Sequence, residues 1–68
     1  MMDYDVLNGL ITEEMAHYNE IERRRADAYR RHESRDVLAH YDNMEQTSLK
    51  RLTALYAQRY RRECEQVI

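Results

Sequence analysis

The sequence predicts an all-α fold: an antiparallel helical hairpin of two long helices that dimerises into a four-helix bundle. Three observations carry this reading. The chain of 68 residues holds no Pro and one Gly. Its commonest residues include the strong helix formers Ala, Leu, Glu, Arg, Met and Gln, and no window shows the two-residue alternation of a strand. Apolar side chains recur every three or four positions in two stretches separated by a break. Formal charge also alternates in long blocks.

The first stretch predicts a helix over about 3–33. Steps of three and four from Tyr4 visit Leu7, Ile11, Glu14, Tyr18, Ile21, Arg25, Ala28 and His32, with Leu10, Met15 and Tyr29 widening the stripe. The turn falls at about residue 34, inside "RRHESRDVLAH". Ser34 is placed to cap a second helix, and Asp36 sits in the first turn, where the helix dipole favours an anion. Arg30, Arg31 and His32 give the first helix a cationic end, which the dipole also favours. The second helix is predicted over about 35–65, its seam running Leu38, Tyr41, Glu45, Ser48, Leu52, Leu55, Arg59 and Arg62. Two weaker signals compete: "LNGLIT" around Gly9 could end a short first turn, and "EQTSLK" around Thr47 and Ser48 could divide the second half. Neither contains Pro. The whole chain, 1–68, reads as one helical-hairpin domain.

The charge blocks explain an arginine-rich stretch that would otherwise suggest nucleic acid. Residues 1–22 hold six acids and no Lys or Arg, whereas 23–35 hold six Arg and two acids. Residues 36–49 then hold three acids and no base, and 50–62 hold five bases and no acid. A hairpin with its turn near 34 sets residue i opposite roughly 69 minus i. Acid then faces base along the whole length, which selects register and partner more than it adds stability. The polar residues of the seam follow the same rule and are expected as inter-helix pairs, Arg25 with Glu45 and Glu14 with Arg59.

Two helices leave part of each apolar stripe uncovered, and a chain this short needs a partner, a metal or disulfides to complete its core. Leu7, Ile11, Tyr18, Ile21, Leu49, Leu52 and Tyr56 are the expected core and interface residues. A twofold pairing of hairpins would cover them, as would a foreign protein. All six aromatic residues are Tyr, whose rings pack while the hydroxyls stay wet, as a half-interface seam requires. Cys64 is the only cysteine, so an intrachain disulfide is impossible; it reads as a minor packing residue of a reducing compartment.

Chemistry finds little support. There is no Gly-rich phosphate loop and no nucleophile beside a base, so the chain is expected to be no enzyme and to need no cofactor. Glu14 and His17 stand three apart, the spacing that ferritin-like di-metal bundles use, which makes a metal-binding bundle the third reading, but the one seam acid of helix 2, Glu45, lies about 13 Å away along the hairpin at 1.5 Å per residue. His32, Asp36 and His40 cluster near the turn without the ligand spacing of a structural zinc site. Arg23, Arg24, Arg30 and Arg31 form an outer stripe that no seam position requires, and nucleic-acid binding through it is the second reading. No span is apolar enough for a membrane, and the acidic start is unlike a signal peptide. The expectation is a small cytoplasmic regulator or adaptor of the kind phages and plasmids encode. It would act by helix-mediated protein–protein contact, most simply with itself as a homodimer.

Overall fold

The computed structural model describes residues 3–66, which form two helices in antiparallel contact: α1, Tyr4–Arg30, and α2, Arg35–Gln66. The hairpin measures 53 Å by 16 Å by 15 Å. Asp3 is the N-cap of α1, in extended conformation, and its carbonyl accepts the Leu7 N–H at 2.9 Å. Asp5 supplies the anion of the first turn. Gly9 and Thr12 lie inside the helix, and the Thr12 hydroxyl donates to the Asn8 carbonyl at 2.9 Å instead of capping.

α1 ends at Arg30, three residues before the predicted end, and the backbone shows why. His32 adopts the left-handed conformation with φ 56°. The Glu33 N–H reaches back to the Ala28 carbonyl at 3.0 Å and the His32 N–H to the Tyr29 carbonyl at 3.1 Å. These are the two bonds of a Schellman cap, which satisfy the last free carbonyls of the helix. Glycine usually fills that left-handed position; here histidine does. Ser34 then caps α2, its hydroxyl accepting the Val37 N–H at 3.3 Å. α2 runs without a break through Thr47 and Ser48, the Thr47 hydroxyl folded back on the Asn43 carbonyl at 3.0 Å.

The buried apolar side chains are Leu7, Ile11, Ile21 and Ala28 from α1 and Leu52 from α2, with Ser48 as the one buried polar residue of the described chain. Tyr18 and Leu49 are half-buried. Tyr56, expected in the central layers, is 39% exposed, and Cys64 is exposed, not packed. Among the described residues, no helix is long and apolar enough to cross a membrane.

Candidate interaction surface

The contacts across the seam fix the register. Tyr4 donates to Glu63 at 3.2 Å, Arg59 donates to Asn8 at 3.3 Å, and Ser48 donates to Glu14 at 2.6 Å. Arg25 is hydrogen-bonded to Glu45 and lies 3.3 Å from Asp42. These partners sum to about two fewer than the sequence rule requires on average, because the Schellman cap brings the reversal forward by about one residue. Glu14 and Arg59 consequently do not pair. The Glu14 carboxylate turns the other way along α2, to the Ser48 hydroxyl and to Arg51 at 3.8 Å. Arg59 is held by Asn8 and, at 3.8 Å, by Glu63.

Ser48 is the residue that sequence reasoning left without a role. It sits on the seam at 2% exposure, and a small side chain there lets Glu14 reach into the interface. The available signal was position alone: Ser48 falls between Glu45 and Leu52 on the predicted seam, but the predicted register sets it opposite Ile21 and not Glu14.

Helical spacing divides the surface beside the seam into two long faces. One carries Arg25, Tyr29, Tyr56 and Arg59, whose charged groups are engaged by neighbouring side chains. The Arg25 guanidinium stands 5.9 Å from the Tyr29 ring and the Arg59 guanidinium 4.9 Å from the Tyr56 ring. Arg25 is also surrounded by Glu45, Asp42 and, at 3.6 Å, Glu22. Glu22 and Glu45 are neighbouring carboxyls from opposite helices. A hydrogen bond shared with Glu45, reinforced by burial and by the Glu45 charge, pushes the Glu22 pKa up. The same bond, together with Arg25, holds Glu45 down against its burial. Burial first, then the Glu22 and Glu45 charges, raise Tyr18.

The other face is open. Grooves of about 530, 290 and 500 Å³ follow one another along it. His17 and Arg51 line both of the first two, so these are continuous. Leu10 and Leu55 form the apolar floor near the free ends of the hairpin, Met44 lies further along, and Val37 and Tyr41 lie next to the turn.

The outer arginines are largely engaged by local acids. Arg23 and Arg24 share Glu20, at 2.7 Å and 3.0 Å, and their hydrogen bonds lower the Glu20 pKa. Arg30 is hydrogen-bonded to Asp27, while Arg31 is exposed near the turn. Glu14 and His17 both border the first groove, but the Glu14 carboxylate is committed to Ser48, and no three His, Cys, Asp or Glu side chains among the described residues converge as a metal site would require. Compared with family models, curated proteins and solved structures, the chain matches none.

Proposed function

We propose that this chain is a non-catalytic interaction module, a small regulator or adaptor that works through helix-mediated contact with protein, first of all with a second copy of itself in a four-helix bundle. One observation carries the reading. Among the described residues the hairpin buries only five apolar side chains, and Leu10, 36% exposed, lies with Leu55 and Met44 along an open groove beside the seam. A monomer that small and that open gains little from burial, and a second hairpin supplies the missing layer.

Multi-angle light scattering tests it directly. The expected mass is twice 8.3 kDa at concentrations of tens of micromolar. A monodisperse 8.3 kDa species throughout that range would reject self-association. Titration of a fluorescent duplex and a single-stranded RNA in low salt is the companion experiment. Micromolar affinity that falls steeply with salt would replace the protein-contact reading with the nucleic-acid one; flat titrations support the module.

A further inference from the structure

We infer that the groove-bearing face, the one floored by Leu10, Met44 and Leu55, is the surface that a second copy of this chain covers. The inference rests on the dimer reading and adds to it which side of the hairpin is the interface.

Three features lead there. The first is the contrast between the two faces. Around Arg25 and Arg59 the polar groups already satisfy one another: carboxylates and an amide hold the guanidinium groups, which lie 5.9 and 4.9 Å from the Tyr29 and Tyr56 rings, although those rings stay 52% and 39% exposed. Docking a protein there would mean breaking those contacts. Across the seam, grooves of about 530 and 290 Å³ join end to end over an apolar floor. Their ridges and depressions suit the ridge-into-groove packing of another helix pair.

The second feature is size. A flat face of 53 Å by 16 Å offers about 800 Å², the area one partner typically contributes to a stable interface.

The third is charge, and it identifies the occupant. Both helices run from acid to base: the Asp, Glu, Lys and Arg residues of 1–22 are all acidic and those of 23–35 mostly Arg, then those of 36–49 are acidic and those of 50–62 basic. When two flat hairpins stack face to face about a twofold axis lying between them, each helix meets its new neighbour antiparallel. This holds whether the axis runs along the helices or across them. Every new contact therefore sets an acidic half against a basic half, so the chain is its own electrostatic complement. A foreign helix would match only by reproducing the same acid-to-base order.

Two measurements on the full chain decide the matter. In the first, Leu10→Lys combined with Leu55→Lys should raise the dimer dissociation constant by roughly a hundredfold or more, as loss of central interface anchors does. Met15→Lys, on the opposite face, should leave it within about threefold. Circular dichroism reports whether each variant folds. In the second, which needs no variant, an isotope-filtered NOE spectrum of mixed labelled and unlabelled wild-type chains should show intermolecular contacts from the methyl groups of Leu10, Met44 and Leu55. Contacts from Met15 and Leu49 instead, in a protein that is dimeric, would overturn this assignment of the face and leave the dimer standing. A wild-type chain that is monomeric in light scattering would remove both.

Discussion

At the scale of single residues, the hairpin tolerates one substitution that should improve it and contains one that should harm it. Gly9 lies inside α1, and a methyl group added to it meets nothing within 4 Å. Gly9→Ala removes backbone entropy from the unfolded chain without a clash, so thermal unfolding should show a gain of about 0.5–1 kcal/mol. No change or a loss would mean that this surface is covered in solution. Ser48 is the reverse case. Its hydroxyl is fully buried and is bonded to a carboxylate that is itself only 13% exposed. Ser48→Ala leaves Glu14 short of a donor and should lose about 1–2 kcal/mol in urea unfolding, whereas adding Glu14→Leu should recover much of that, because removing both partners of a buried bond is far less harmful than removing one. If the double variant is worse than the single, the bond is not what holds Glu14 in place.

At the scale of the elements, the α1–α2 seam carries a pH dependence whose sign is set by two neighbouring carboxyls. The Glu22 pKa is raised above its ordinary 4.5 by the bond with Glu45, so its contribution favours the fold at low pH and is lost as pH rises through the raised value. Glu45 is lowered, so its contribution is present above 4.5 and is lost as pH falls through the depressed value. Glu22→Gln should therefore stabilise the hairpin at pH 7 by a few tenths of a kcal/mol, a small effect because the side chain is 42% exposed. The advantage should vanish near pH 4; a constant gain across that range would place Glu22 away from Glu45. Much of this architecture was legible in the sequence. Steps of three and four located both helices, Ser34 announced its cap, and opposed charge blocks set Arg25 beside Glu45, while the second contact of Arg25, to Asp42, appears only in the structure. What the sequence hid was geometric. The Schellman cap uses His32 where the recognisable signal is Gly or Asn, so α1 seemed to run three residues further. That error moved the point of reversal by about one residue, enough to assign Glu14 to Arg59 when Arg51 lies one turn to the other side. Nothing in residue spacing says which way along α2 a seam carboxylate will lean; the small Ser48 side chain decides it.

At the scale of the whole molecule, association should respond to salt in a direction that separates its two driving forces. Burial of Leu10, Met44 and Leu55 is apolar, and salt leaves such burial unchanged or strengthens it. The matching of acidic and basic halves acts between exposed charges, which are screened once the Debye length drops from about 14 Å at 50 mM to about 4 Å at 500 mM. Each such pair contributes only ~0.2–1 kcal/mol, and a few of them weakened together amount to about 1 kcal/mol. Net charge works little against this, since the chain carries only -2. Sedimentation equilibrium across that salt range should accordingly show the dimer dissociation constant rising roughly fivefold, a slope far shallower than that of a protein gripping nucleic acid. Association that tightens with salt would mean that the apolar floor acts alone and that the charge blocks serve only the fold of each hairpin. A fivefold weakening means instead that the pattern which folds one chain onto itself is used again to choose its partner.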